Sequence, residues 1–272
     1  MIRAGVSKMT IPSLTVDELL TTINRTSLPT IIVEGSDDVA IYRWIEKQIL
    51  RKNADVIQCG GRKKLIAVYE RRHEIKKNIS IVFLADKDMW IYKGVPTEYK
   101  SIIFTRGYSL ENDLIEGSLN VVLKLLNEDE LMNLKQIYNE IIPWYTREVC
   151  RYMEGNSFKL NYSIYQLLDI HKLELKDDFP CYSENNPSQI KIASFIKENK
   201  ELHIRGKNLL DIFLFILQSE KRVVKYSKES LIDIIMRFSL NDNINLLKII
   251  EKINDKFDGE KKLSTLEITG NK

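Results

Sequence analysis

The chain has 272 residues, of which 44% are hydrophobic and 29% are charged. These proportions are ordinary for a globular protein with one large domain or two smaller ones, so we expect disorder only at the two termini. The 41 basic and 38 acidic residues give a net charge of +3. That charge is too small to indicate nucleic-acid binding by itself, and any basic surface must come from local clustering.

Cysteine usage and hydropathy indicate the compartment. The three cysteines, Cys59, Cys150 and Cys181, lack the spacing of a metal site and are too few for a disulfide scaffold. The N-terminus lacks the cationic and apolar regions of a signal peptide. The most apolar stretch, residues 209–217, is about half as long as a membrane span. We therefore expect a soluble, cytoplasmic protein with no membrane partner.

The first half of the chain alternates short apolar runs with amphipathic stretches. A first helix is predicted over residues 16–24, with Thr15 as its N-cap. The predicted strands cover residues 30–33, 54–58, 79–85 and 101–105, and the helices that follow them cover 37–51, 62–75 and a stretch beginning near Leu110. This alternation predicts repeated βαβ units and a parallel α/β sheet flanked by helices.

Helical periodicity dominates the second half. The predicted helices cover residues 128–153, 164–173, 187–198, 208–219, 228–238 and 242–257, with a long loop over 177–187. The sequence therefore predicts an α/β catalytic domain over residues 1–126. A mainly α-helical domain over residues 127–272 would serve partner binding or dimerisation.

Three acidic residues lie at the ends of predicted strands. Glu34 follows the first strand, and Asp86 and Asp88 follow the third. In open parallel sheets, ligands bind beyond the carboxyl ends of the strands. The one-residue gap lets both aspartates project the same way if the backbone stays extended. Two hard oxygen ligands suit Mg²⁺ or Mn²⁺, and Glu34 would act as general base or acid or as a further ligand.

Acidic residues after strands are also common as helix caps and turn formers. The spacing alone therefore leaves a phosphatase-like, a nucleotide-binding or a nuclease site open. A phosphatase with Asp86 as nucleophile is disfavoured, because its motif has Thr or Ser two residues beyond the second aspartate, whereas Met89 and Trp90 follow here.

The residue types of the two motifs are more specific than their spacing. Residues 31–38 read Ile-Ile-Val-Glu-Gly-Ser-Asp-Asp, and residues 81–88 read Ile-Val-Phe-Leu-Ala-Asp-Lys-Asp. Together they resemble the signature of the Toprim fold, found in topoisomerases, primases, recombination proteins and OLD-type nucleases. The resemblance implies proton transfer by Glu34, divalent metal binding by Asp86 and Asp88, and a supporting role for Asp38.

A narrower resemblance covers nearly the whole chain in order. Residues 58–63, 106–112 and 204–210 are similar to a Toprim-containing family long described as of unknown function, family 4435, which includes the nuclease effector of the PARIS antiphage defence system. In that system an ABC-type ATPase holds the effector, which is released when a phage protein is sensed and then cleaves host tRNA. The resemblance implies an ATPase partner and a tRNA or RNA substrate. DNA and a homodimeric active form stay open.

Further candidates surround these motifs. Glu111 follows the fourth strand and is either an additional metal ligand or a first-turn acid favoured by the helix dipole. If it binds metal, Tyr108 and Asn112 would shape the site. Cationic side chains that would hold substrate phosphates, or be only solvated surface, are Arg62, Lys63, Lys64 and Lys207.

Two other functions stay open beside the tRNA nuclease. One is a non-catalytic docking module for an ATPase or a phage protein, in which the acidic residues are caps. The other is an OLD-like DNA nuclease. A divalent-metal titration separates the first of these from an enzyme, and the nucleic acid that is cleaved separates the second from a tRNA nuclease.

Overall fold

The computed structural model describes residues 14–35, 41, 44, 45, 47, 54–238 and 242–269, with 259–269 as backbone only. The predicted helix over 37–51 lies mostly outside these residues. The chain divides into two compact units, Met1–Ala85 with Lys256–Lys272, and Asp86–Asp255. The predicted domains 1–126 and 127–272 stay a prediction.

A parallel sheet forms the centre of the first unit. Its strands are β1 (Thr30–Val33), β2 (Asp55–Gln58) and β3 (Ile81–Ala85), in the order β2-β1-β3. β1 is buried along its whole length and pairs in parallel with both neighbours, Val33 lying opposite Gln58 on one side and Leu84 on the other. The predicted α/β class with a parallel sheet is confirmed.

Helices α1 (Val16–Ile23) and α2 (Arg62–Glu70) accompany the strands of this unit. α1 begins at the predicted N-cap, Thr15, whose side chain accepts the Glu18 N–H while the Glu18 carboxylate accepts the Thr15 N–H. α2 follows β2. The predicted helix over 62–75 is too long, because a 3₁₀ turn at Arg72–Glu74 follows and the backbone at Ile75 is extended.

The second unit is mainly helical. Its elements, with α12 continuing beyond it, are α3 (Trp90–Lys93), β4 (Ile103–Phe104), α4 (Leu110–Glu116), α5 (Leu119–Leu123), α6 (Glu128–Met153), α7 (Ile164–Leu167), β5 (Leu168–Asp169), β6 (Glu174–Leu175), α8 (Pro187–Glu198), α9 (Lys200–His203), α10 (Gly206–Leu217), α11 (Lys228–Phe238) and α12 (Ile244–Thr269). The predicted bounds of α6, α8 and α11 are confirmed. Within the described ranges, no helix is both long enough and apolar enough to cross a bilayer.

The predicted helix over residues 164–173 is wrong beyond its first turn. The chain leaves the helix after Leu167 and forms a small antiparallel hairpin, in which Leu168 pairs with Leu175. The Asp169 carboxylate accepts the N–H groups of His171 and Lys172. An aspartate that bonds the backbone just ahead of it favours a turn over a helix.

Residues 106–112 and 204–210 pack against each other within the second unit. Gly206 lies against Ser109 so closely that a Cβ at this position would collide with the hydroxyl oxygen. The fully buried Asn112 amide accepts from the N–H and the hydroxyl of Ser109. It donates to the carbonyl oxygens of Glu201 and Ile204 at 2.7 Å each. This packing accounts for the residue types at Ser109, Asn112 and Gly206.

Candidate active site

Glu34 is the first residue after β1. The last residue of that strand, Val33, accepts the Cys59 N–H at 2.8 Å, and the Glu34 carbonyl accepts the Gly61 N–H at 2.6 Å. The Glu34 side chain is only 14% exposed, and its Oε1 atom lies 3.6 Å from Nη1 of Arg62. Strand pairing therefore fixes the backbone at Glu34, while Arg62 supplies a cation beside its carboxylate.

The Glu34 carboxylate also influences the pKa of the neighbouring Cys59 thiol. Cys59 is buried, and burial, followed by the negative charge of Glu34, raises the pKa of its thiol to about 12. Cys59 is therefore a protonated, apolar neighbour of the site and not a nucleophile.

The turn before α2 requires glycine. Gly60 and Gly61 have φ angles of 79° and 124°, which L side chains rarely adopt. The three predicted phosphate-binding cations of this unit open the helix that follows. Lys63 is exposed, whereas the Lys64 ammonium donates to the Leu14 carbonyl at 2.5 Å. Arg62 is the cation that lies beside the candidate carboxylate.

Asp86 and Asp88 begin the second unit and are fixed by the segment around α4. Oδ1 of Asp86 accepts the Leu110 N–H at 2.9 Å. The Asp88 N–H donates to the Tyr108 carbonyl at 2.7 Å. Asp88 has a φ of 49°, so the expectation that the backbone stays extended through both aspartates is wrong at Asp88. Aspartate tolerates this left-handed conformation better than most residues.

The Tyr108 phenol is a common neighbour of the two aspartates. Burial raises its pKa well above the usual value, and Tyr145, Asp88 and Asp86 raise it further by repelling a phenolate. Tyr108 is therefore a neutral hydroxyl near both carboxylates, in keeping with the predicted shaping role.

Glu111 lies in the first turn of α4, one residue beyond the N–H that Asp86 accepts. It is 4% exposed, and its Oε1 atom lies 3.9 Å from Nζ of Lys228 on α11. A buried glutamate at a helix start beside a cation fits both predicted roles, the dipole-favoured acid and the metal ligand.

The donor chemistry of the second unit suits a hard divalent cation. Carboxylates oriented by backbone N–H groups, as Asp86 is by Leu110, are the usual ligands of Mg²⁺. Among the described residues, no group of three or more His, Cys, Asp or Glu side chains is arranged as a complete metal site. Metal binding by Glu34, Asp86, Asp88 and Glu111 stays a prediction, and Asp38 lies outside the described residues.

Lys207, a predicted phosphate-binding residue, is exposed on the first turn of α10, where the preceding Gly206 packs against Ser109. A cavity beside Lys87 was not foreseen. Lys87 donates to the Arg106 carbonyl at 2.8 Å. It lines a cationic cavity with residues of α12. The only sequence signal for that cavity was the four-residue spacing of Lys248 and Lys252.

No family model and no curated protein sequence matches the chain. The class that the structure defines is an α/β protein with a parallel sheet. The residues that follow β1 and β3 are the candidates for its active site.

Proposed function

We propose that the chain is a metal-dependent Toprim-type endonuclease that acts as an antiphage effector and cleaves host tRNA. The pairing of β1 with β3 is the observation that carries this proposal. The strands are parallel, with Val33 opposite Leu84, so they end at the same edge of the sheet. Glu34 follows one strand in sequence, and the pair Asp86 and Asp88 follows the other. Ligands of parallel sheets bind beyond that edge.

In the proposed reaction the acidic side chains bind the metal and transfer a proton. Asp86 and Asp88 hold Mg²⁺ or Mn²⁺, which when bound supplies the charge that polarises the scissile phosphate. Glu34 accepts the proton of the attacking hydroxyl or water, or shares in metal binding. The cation of Arg62, 3.6 Å from Glu34, keeps that carboxylate in place. Glu111 is the further candidate ligand.

The partner in this proposal comes from the narrower resemblance. Residues 58–63, 106–112 and 204–210 are similar to the family of AriB, the effector of the PARIS system, and an ABC-type ATPase would hold this chain silent until phage infection. The Ser109–Gly206 contact and the Asn112 hydrogen bonds give two of these segments a packing role. The similarity of these two segments therefore supports a fold in common with that family, and it does not bear on how the nuclease would be activated.

The test is cleavage by the purified protein. Wild type and Asp88→Asn are incubated with tRNA, other RNA or DNA, with Mg²⁺ or with a chelator. Asparagine tolerates the left-handed backbone of Asp88 as well as aspartate does, so this variant keeps the fold while it removes a charge. Discrete fragments that require both Mg²⁺ and Asp88 support the proposal, and their source decides between a tRNA nuclease and an OLD-like DNA nuclease.

A non-catalytic docking module is the second candidate. It is favoured by the structural contacts of the carboxylates, since Glu34 pairs with Arg62 and Asp86 accepts a helix N–H. Such contacts are also those of purely structural caps. A calorimetric titration in which neither Mg²⁺ nor Mn²⁺ binds, together with a stable complex with the ATPase, would establish this function instead.

A further inference from the structure

A cationic cavity lies within the second unit, beside the segment that links Asp86 to Asp88. Its volume is about 390 Å³, within the range of small-molecule pockets. The basic side chains that line it come from four separate stretches of the chain: Lys87, Lys100, Arg106, Lys248 and Lys252. The other residues of its lining are apolar or neutral, so the cavity wall carries positive charge alone.

Hydrogen bonds hold two of these cations in place. Nζ of Lys87 donates to the Arg106 carbonyl at 2.8 Å, and the Lys87 N–H donates to Oγ1 of Thr105 at 3.0 Å. The Arg106 guanidinium bonds Oδ1 of Asn245 at 2.8 Å and lies 3.2 Å from Glu116. Lys87 and Arg106 are thus prearranged at the wall of the cavity.

The remaining cations are more exposed. Lys248 and Lys252 are one turn apart on α12 and share one face of that helix. Lys100 is also exposed and lies far from these two lysines in sequence, in the loop before β4. Long exposed lysines of this kind can reorient towards a ligand and lose rotamer entropy when they bind it, whereas Lys87 and Arg106 are already positioned.

The carboxylate of Glu116 lies close to these cations, 3.2 Å from Nη1 of Arg106, but Glu116 is not among the residues that line the cavity. This pairing offsets part of the charge of Arg106, so a bound anion would meet the remaining cations of the wall.

The apolar part of the wall indicates the rest of the ligand. It consists of Val95, Ile102, Phe104 and Ile249. An inorganic anion would use the cations and leave these side chains without a partner. A ligand with both a phosphate and a flat apolar body uses both parts of the wall, because a base packs on aromatic and aliphatic side chains while its phosphate pairs with lysine and arginine.

We propose that this cavity binds a nucleoside phosphate, with the phosphate on Lys87, Lys248 and Lys252 and the base against Phe104. Neither Asp86, Asp88 nor Glu111 is among the residues that line the cavity, so this binding site is distinct from the carboxylates. The nucleotide is either free or one residue of a nucleic acid strand. The proposal depends on the cavity alone and not on cleavage.

Calorimetric titration of the full-length protein in a chelator, where metal-dependent cleavage cannot interfere, tests the proposal. The probes are adenosine 5′-monophosphate, adenosine, inorganic phosphate and a short 5′-phosphorylated oligonucleotide. We expect a phosphorylated nucleoside probe to bind at least about tenfold more tightly than adenosine and than inorganic phosphate, and more weakly at high salt. Tighter binding of the mononucleotide identifies a free nucleotide, and tighter binding of the oligonucleotide identifies a strand.

The double variant Lys248→Gln/Lys252→Gln removes two exposed charges of the wall. It should weaken binding by about tenfold, because each exposed ion pair with the phosphate contributes only a modest part of the affinity. The matched control, Lys135→Gln/Lys197→Gln, alters two exposed lysines outside the cavity and should bind as the wild type does. The single variant Lys252→Gln replaces the double one if the latter melts early. Equal binding by variant and control, equal affinity for adenosine and its monophosphate, or no binding of any phosphorylated probe overturns the proposal.

Discussion

Nη1 of Arg62 lies 3.6 Å from Oε1 of Glu34, and both side chains are largely shielded from solvent, at 23% and 14% exposed. The two residues belong to different elements, since Glu34 follows β1 and Arg62 opens α2 after the Gly60–Gly61 turn. A shielded cation beside a candidate general base orients its carboxylate. Arg62 is therefore expected to affect cleavage through Glu34 as well as through substrate phosphate.

Arg62→Gln should lower the rate of tRNA cleavage by about tenfold, because a charge-assisted contact of this kind contributes about 1.5 kcal/mol or more. Initial rates at saturating Mg²⁺ measure the effect. Lys135→Gln is the control, because it removes an exposed cation on α6 that is not a predicted site residue, and it should change the rate by less than about twofold. Full activity in Arg62→Gln would show that the pairing with Glu34 has no catalytic consequence.

Asn112→Asp should destabilise the second unit severely. The Asn112 amide nitrogen donates to two carbonyl oxygens at 2.7 Å each, and a carboxylate oxygen in its place would face both without a proton to share. A buried charge of this kind costs about 3–5 kcal/mol. Urea unfolding followed by circular dichroism measures the loss. Asn133→Asp, on the exposed face of α6, should change the free energy of unfolding by less than about 0.5 kcal/mol.

His203 should make the stability of the protein depend on pH. Burial lowers its pKa, while the bond from Nδ1 to the Phe195 carbonyl at 2.6 Å and the Glu198 charge raise it in part. Because the folded pKa lies below the unfolded value of about 6.5, the unfolded chain binds more protons near that pH. The stabilising contribution is complete above pH 6.5 and is lost as the pH falls towards the folded pKa.

The measurement compares wild type with His203→Gln. The difference in their free energies of unfolding should change in favour of the variant as the pH is lowered from neutrality through 6.5. Denaturant unfolding at several pH values gives this difference directly. A difference that does not depend on pH, or that changes in favour of the wild type, contradicts the lowered pKa of His203.

Local patterns were enough to predict much of the fold. The β-branched run of β1, the N-cap at Thr15 and the long amphipathic pattern of α6 each depend on neighbours in sequence, and all three predictions are confirmed. The hairpin at residues 168–175 was missed because its apolar residues also fit a helix, and one aspartate that bonds the backbone decides between the two.

The candidate site was predictable to the level of residues but not of geometry. The residues after β1 and β3 could be identified because parallel strands end at one edge. The left-handed backbone of Asp88 and the Asp86–Leu110 bond depend on the 106–112 segment, about twenty residues further along the chain. The cationic cavity was not predictable, because Lys87 and Lys252 are brought together only by tertiary packing.

The central claim is that Glu34 acts in metal-dependent cleavage, and cleavage of tRNA by purified Glu34→Gln protein tests it most directly. Glutamine keeps the shape of the side chain and removes the proton acceptor. The account predicts discrete Mg²⁺-dependent fragments with the wild type and a rate at least about a hundredfold lower with the variant, at an unchanged temperature of thermal unfolding. A folded Glu34→Gln protein that cleaves at the wild-type rate would contradict the account.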